Sequence, residues 1–320
     1  MNARIESPES LVAWRRESCG NGPVALVTGT FDLFQPGNLF AIRKAVSLGF
    51  PVVVVVEPDD MAAAHCRPGH PQNRLETRIE MVSHLRGVAA VTSVTPGQAG
   101  DFFGGLGEFI RVTVETPRAE GPYSRILAGR AARVVSIEPV AGCFTEDVLH
   151  AMEQHKTPVT LPAGWDGAPA PEPSVTKGAG ARVTVNGCFD ILHVGHLRFL
   201  EEARTMGDSL TVLINSDASV ARYKGVTRPV FPERFRTAAL RALRSVDEVV
   251  VFQRDNPLAE LQGLRPAIHV KGGSYEPDRV RQEQELVESW GGKLVCTPMV
   301  DGFSTTNFIK KALKSKIRKS

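Results

Sequence analysis

Gly187-Cys188-Phe189-Asp190-Ile191-Leu192-His193-Val194-Gly195-His196 follows a short apolar run, Arg182–Val185, and leads into an amphipathic stretch that stops at Gly207. That order reads as strand, turn, helix. Gly187 lets the backbone turn tightly, and Gly195 removes a side chain where a phosphate would approach. His193 and His196 are three residues apart, so at the start of a helix they point to the same side. The same helix start offers unpaired backbone N–H groups and a partial positive charge to an anion. Two imidazoles, bare glycine backbone and a positive helix end suit a polyphosphate whose charge grows during reaction. Two histidines at this spacing would by themselves read as ordinary surface or core residues. The glycines, the strand before, the helix after and a second copy of the frame favour chemistry. Zinc would need a third ligand, and Cys188 is expected on a buried strand.

The second copy is damaged. Residues 29–38 read Gly29-Thr30-Phe31-Asp32-Leu33-Phe34-Gln35-Pro36-Gly37-Asn38, so Gly29 falls on Gly187 at an offset of 158, while Gln35 and Asn38 replace the histidines. The register continues without a gap: Gly49 on Gly207, Val52–Val56 on Leu210–Ile214, Asp59 on Asp217, Arg78 on Arg236 and Val88 on Val246. A period of a whole domain is a tandem duplication, not a solenoid.

Periodicity predicts strands at Arg182–Val185, Leu210–Asn215, Glu248–Phe252, Ile268–Lys271 and Lys293–Thr297. Helices are expected at His196–Met206 with Gly207 as a C-cap, and at Pro232–Leu243, Arg279–Trp290 and Ser304–Lys314. This alternation predicts an α/β chain: two Rossmann-like, doubly wound parallel sheets in tandem. The expected domains are 1–156 and 181–320. Residues 157–180, dense in Pro, Ala and Gly, read as a semi-rigid linker.

The remaining composition mainly excludes. Thirty-eight Lys and Arg against thirty-five Asp and Glu give no reason to expect nucleic acid as a partner. Five scattered cysteines without a CxxC pair fit a reducing cytoplasm, and no secretory signal is expected at the N-terminus. The longest apolar run, Pro51–Val56, is too short to span a bilayer. The basic tail Lys310–Ser320 reads as a solvated helix end.

The His193-Val194-Gly195-His196 motif resembles the HxGH signature of the cytidylyltransferase-like nucleotidyltransferases. The rest of the second half is similar to the ADP-heptose synthase branch, the D-glycero-β-D-manno-heptose 1-phosphate adenylyltransferases. The matching segments are Asn215–Val220, Lys224-Gly225, Arg228-Pro229, Val246-Asp247, Val270–Gly273 and Gly302–Thr306. The resemblance implies AMP transfer from ATP to a sugar 1-phosphate with release of pyrophosphate. It implies that His193 and His196 stabilise the α-phosphate and that Lys224 reaches over the phosphates from a loop. Arg236 would hold phosphate, and Ser304, Thr305 and Thr306 would bind phosphate oxygens. Gly187, Cys188, Phe189, Gly195, Lys271, Gly272 and Gly273 would line the nucleotide site. Asp190 would position a histidine or substrate, or cap the turn. Mg²⁺ would bridge the triphosphate, held largely by phosphate and water. Two departures, Ser274-Tyr275 after the Lys-Gly-Gly and Arg254-Asp255-Asn256-Pro257, bear on which substrate is used.

In the first half, the histidines and the lysine are replaced by Gln35, Asn38 and Cys66, and Cys143-Phe144-Thr145 stands opposite Ser304–Thr306. That half is expected to be a non-catalytic copy serving as an intramolecular pseudo-dimer partner, in place of or beside a homodimer. His65, Cys66 and His70 read as a plain loop, and Gly104–Gly107 as a turn. Two alternatives stay open: a CTP-dependent cytidylyltransferase acting on glycerol 3-phosphate or phosphoethanolamine, and a nucleotide-sensing scaffold without turnover. No sugar-kinase segment is recognised in the chain.

Overall fold

The computed structural model describes residues 3–20, 22–66, 70–114, 122–138, 144–153, 180–273 and 277–298. The chain divides into two compact units, with the boundary between Asp147 and Val148.

The first unit runs β1 (Arg4–Ile5), α1 (Pro8–Cys19), β2 (Val24–Gly29), α2 (Pro36–Ser47), β3 (Val52–Val56), α3 (Asp59–His65) and α4 (Leu75–Ser83). It continues with β4 (Val88–Ser93), α5 (Pro96–Gly105), β5 (Phe109–Val114), α6 (Ser124–Leu127), β6 (Arg133–Ile137) and α7 (Thr145–Glu153), the last crossing the boundary. Its six strands are parallel in the order β1-β4-β3-β2-β5-β6. The valines of β3 are all fully buried, as a strand covered on both faces requires. Leu11, Leu26, Val53, Val55, Phe103 and Phe109 belong to the core packed around them.

The second unit runs β7 (Arg182–Gly187), α8 (Val194–Thr205), β8 (Ser209–Asn215), α9 (Asp217–Lys224), α10 (Glu233–Arg241) and β9 (Glu248–Phe252). It continues with α11 (Leu258–Leu264), β10 (Ile268–Gly272), α12 (Pro277–Glu288) and β11 (Lys293–Thr297). The parallel order is β11-β10-β7-β8-β9. Position for position this is the order β6-β5-β2-β3-β4, with β1 added at one edge of the first sheet. The duplication is therefore structural: α2 and α8, α4 and α10, and β2 and β7 have matching bounds at the 158 offset.

The chain leaves β7 toward β8 and leaves β10 toward β11, in opposite directions along the sheet. Right-handed crossovers then put α8 and α10 on one face and α11 and α12 on the other. The crevice between the carboxyl ends of β7 and β10 is the switch point where such sheets bind ligands.

Three local expectations are corrected. Gly207 does not cap α8 in a left-handed turn; Met206 ends the helix at φ −81°. Glycine is required there because a Cβ would come within 2.4 Å of the Ala181 carbonyl oxygen. Lys224 is the last residue of α9, not part of a loop, and Gly225 follows at φ +93°. Gly104 and Gly105 finish helix α5, leaving only Gly107, at φ +75°, in a turn. The expected helix Ser304–Lys314 lies outside the described residues, as do Ser274, Tyr275 and nearly all of the expected linker.

Candidate functional site

β7 delivers Gly187 to the edge of the crevice and the chain reverses at Phe189, whose φ is +46°. Phe31 of the first copy adopts +55°, so this costly left-handed turn belongs to the shared frame. The Phe189 ring folds back beneath Gly187, where a Cβ would meet it at 3.0 Å. On its other side it meets the His196 ring edge-on at 5.2 Å.

His193 is the N-cap of α8, and its Nδ1 accepts the His196 backbone N–H at 3.3 Å. The two imidazoles stack, with centroids 3.7 Å apart and planes 17° from parallel. Burial pushes His193 down to about 4. It holds His196 well below the ordinary value, helped by the nearby His193 and Lys224 charges. Both rings are therefore neutral near pH 7. With Nδ1 accepting the cap bond, the neutral His193 carries its proton on Nε2 as a hydrogen-bond donor. Lys224 is exposed at the end of α9. Gly195, in the first turn of α8, is buried.

Behind this turn lies a polar frame that both units share. Asp190 is 3% exposed and accepts from Val230 N at 2.8 Å, Phe231 N at 2.9 Å and Arg228 Nε at 2.6 Å. Asp32 accepts from Gln72 N at 2.9 Å, Asn73 N at 2.8 Å and His70 Nδ1 at 2.8 Å. Arg236, 1% exposed, donates through Nε to Phe231 O, through Nη1 to Cys188 O, and through Nη2 to Asn215 O and Asp217 Oδ1. Arg78 repeats all four bonds, to Asn73 O, Thr30 O, Glu57 O and Asp59 Oδ1. This corrects the expectation for Arg236: a guanidinium with no exposure, its nitrogens spent on protein oxygens, cannot hold phosphate. Asp190, too, ties the turn to the segment before α10.

Where the frames agree, the chemistry at their mouths differs. In the first unit Gln35 Oε1 accepts the backbone N–H groups of Gly37 and Asn38, occupying the amides that an anion would use. Glu57 stands where the second unit has Asn215. It is 5% exposed, accepts from Thr30 Oγ1 at 2.6 Å and pairs with His65 Nε2 at 3.1 Å. The hydrogen bond to Glu57 raises the His65 pKa. Cys66, opposite Lys224, is pushed up to about 11 by burial and remains a neutral thiol. Gln35 at the helix start and a carboxylate at the mouth distinguish this copy from the second unit. His65 and His70 are thus not plain loop residues; each is paired with a carboxylate.

Lys271 was expected to face the nucleotide. Its Nζ instead bonds Glu283 Oε2 at 2.6 Å and Asn186 Oδ1 at 2.7 Å, and the residue is 6% exposed. Gly272 lies against the α8 side, where a Cβ would touch the Phe199 ring at 3.0 Å. Gly273, at φ +114°, donates to Thr297 O at 2.8 Å. Ser304, Thr305 and Thr306 lie outside the described residues.

Segments singled out in the sequence are tied together by contacts that the sequence does not show. Cys188 Sγ meets Asn215 Oδ1 at 3.7 Å, Asn215 Nδ2 donates to Ser219 Oγ at 3.0 Å, and Ser219 Oγ donates to Arg254 O at 3.0 Å. Asp255 accepts from Arg222 Nη2 at 2.7 Å. The unusual Arg254–Pro257 stretch is thereby fastened to α9, the helix that ends in Lys224. Among the described residues, no group of three or more His, Cys, Asp and Glu side chains is placed to hold a metal ion. Nor is any described helix long and apolar enough to cross a membrane.

The cytidylyltransferase-like family profile matches residues 26–101 and 184–311. The chain belongs to the cytidylyltransferase-like family. Because the match falls on both sheets, the first unit is a cytidylyltransferase-like domain in spite of its missing histidines. Membership makes the chain an enzyme of the nucleotidyltransferase superfamily. It is similar to the bifunctional protein HldE of Geotalea uraniireducens, 51% identical over 136 residues, which are 42% of this chain and 28% of that protein. HldE of Geobacter sulfurreducens is 50% identical over 140 residues, 43% of this chain and 28% of that protein. The match thus spans less than a third of the length of these relatives. Among solved structures, the lipopolysaccharide core biosynthesis protein from Thermoplasma volcanium is 31% identical. That similarity covers 38% of this chain and 99% of that one, at a TM-score of 0.34.

Proposed function

We propose that the second unit transfers AMP from ATP to a sugar 1-phosphate of the heptose type, giving an ADP-sugar and pyrophosphate. The observation that carries this reading is the stacked His193/His196 pair at the start of α8. An acceptor phosphate oxygen attacks the α-phosphorus in line, and the bond to the β,γ-pyrophosphate breaks. Charge builds on the non-bridging α-oxygens. The His193 Nε2–H and the amides at the start of α8 donate to those oxygens, and Lys224 neutralises the departing pyrophosphate. No covalent enzyme intermediate is needed. Mg²⁺ bound to the triphosphate would offset its charge, held largely by phosphate and water. The similarity to HldE proteins supports adenine and a heptose phosphate over the cytidylyltransferase alternative. The first unit serves as a non-catalytic partner. The test is a panel of ATP and CTP against heptose 1-phosphate, glycerol 3-phosphate and phosphoethanolamine, read as pyrophosphate release. Turnover confined to CTP would overturn the adenylyl assignment, and nucleotide binding without any turnover would favour a sensor.

A further inference from the structure

A closed polar ring lies under the switch-point crevice and has no counterpart in the motif. From Thr184 on β7, Oγ1 bonds His269 Nδ1 on β10 at 2.8 Å. His269 Nε2 reaches Glu283 Oε2 on α12 at 3.2 Å. The same carboxylate oxygen meets Lys271 Nζ at 2.6 Å, and Lys271 Nζ returns to β7 at Asn186 Oδ1, 2.7 Å away. His269 and Thr184 are completely buried, and Lys271 and Glu283 nearly so. Burial lowers the His269 pKa, so a neutral imidazole donates from Nε2 while Nδ1 accepts from Thr184. The ring then holds one positive and one negative charge, the balance a buried ionic group requires.

This ring fixes the orientation of one amide. An ammonium group can only donate, so Asn186 must turn its Oδ1 toward Lys271. Its Nδ2 then points away from the ring. Asn186 is half-buried at the last turn-in of β7, directly before Gly187, and no described residue accepts from its Nδ2. Its backbone is in register with Leu213 of β8, while its side chain crosses to Lys271 of β10. An uncharged donor in that position matches an uncharged acceptor on the ligand.

We propose that Asn186 reads the nucleoside part of the nucleotide, as a hydrogen-bond donor oriented by Lys271, with Glu283 and His269 as positioning residues behind it. This rests on the nucleotidyltransferase reading above and adds a specificity residue outside the motif. Asn186→Asp keeps the size and the bond to Lys271 but exchanges the donor for an acceptor. Calorimetry on the full-length protein would compare ATP with inorganic tripolyphosphate, which carries the charge without the nucleoside. The expected result is a loss of about tenfold or more in ATP affinity, beyond any change for tripolyphosphate, with the thermal transition unchanged. Asn186→Ser avoids the added charge and should show the same selective loss. Glu283→Gln, which loosens Lys271, should raise KM for ATP more than it lowers kcat. Equal losses for both ligands, or none, would overturn the proposal. A wild-type protein that binds and transfers nucleotide while Asn186→Asp does so equally well overturns this inference alone. A wild type that binds no nucleoside triphosphate overturns the functional reading with it.

Discussion

Replacing His193 with glutamine puts into α8 the residue that already caps α2 at the same place. Gln35 accepts from the backbone of Gly37 and Asn38, so His193→Gln should preserve the helix start. It removes an imidazole held at about 4 against an ordinary 6.5. Because the folded value is the lower one, the unfolded chain takes up a proton first as pH falls. Stability is lost between pH 6.5 and pH 4 and levels off below. At pH 5 the unfolded group is protonated and the folded one is not, a gap of about 1.5 pH units or about 2 kcal/mol. For a unit of this size that is a drop of about 4–8 °C in Tm. Wild type should therefore lose about that much more than His193→Gln between pH 8 and pH 5, with the titrating groups away from His193 cancelling in the comparison. Transferase activity at pH 8 should fall by about 10²-fold or more in the same variant, as loss of a transition-state donor requires. Thermal melts at the two pH values and a pyrophosphate-release assay test both parts. Equal acid sensitivity would refute the buried neutral imidazole, and activity within a few-fold of wild type would refute its place in the chemistry.

Other substitutions separate frame from chemistry. Arg236→Leu and Arg78→Leu strand the same four acceptors, so each should cost at least about 2 kcal/mol in denaturant unfolding. A stable Arg236 variant impaired only in ATP binding would restore that residue to the phosphate site. Lys224→Ala, at an exposed helix end, should leave the melt unchanged and raise KM for ATP by roughly tenfold, with a weaker salt dependence than wild type. Gln35→His with Asn38→His should not create triphosphate binding in the first unit while Glu57 remains; an added Glu57→Asn is the variant in which calorimetry would detect any gain. Gly207→Ala should destabilise by about 1–3 kcal/mol, because its Cβ meets backbone and not a movable side chain.

Residue order alone is enough to identify the duplication, the parallel α/β class and the histidine turn. These depend on local pattern: apolar runs of strand length, a helical stripe, glycines beside the turn, and two imidazoles three residues apart. The strand order that both sheets share does not follow from that alternation, which also allows other doubly wound orders; it is decided in three dimensions. Loss of the first copy's histidines is equally visible as letters, but the plugging of its helix start by Gln35 and the carboxylate of Glu57 are matters of placement.

Polar side chains far apart in the chain behave differently, because a donor's destination is set by whatever packs around it. Arg236 and Lys271 look like phosphate ligands as isolated cations, yet folding buries both and gives their N–H groups to oxygens 21 and 85 residues away, Asn215 O and Asn186 Oδ1. Asp190 is likewise spent on backbone amides 40 and 41 positions later. A buried charge must be paired wherever the fold brings its partner, and no local spacing encodes that pairing. Sequence pattern thus marked out the turn that carries His193 and His196, where the chemistry is proposed, while three-dimensional packing showed which polar groups brace that turn.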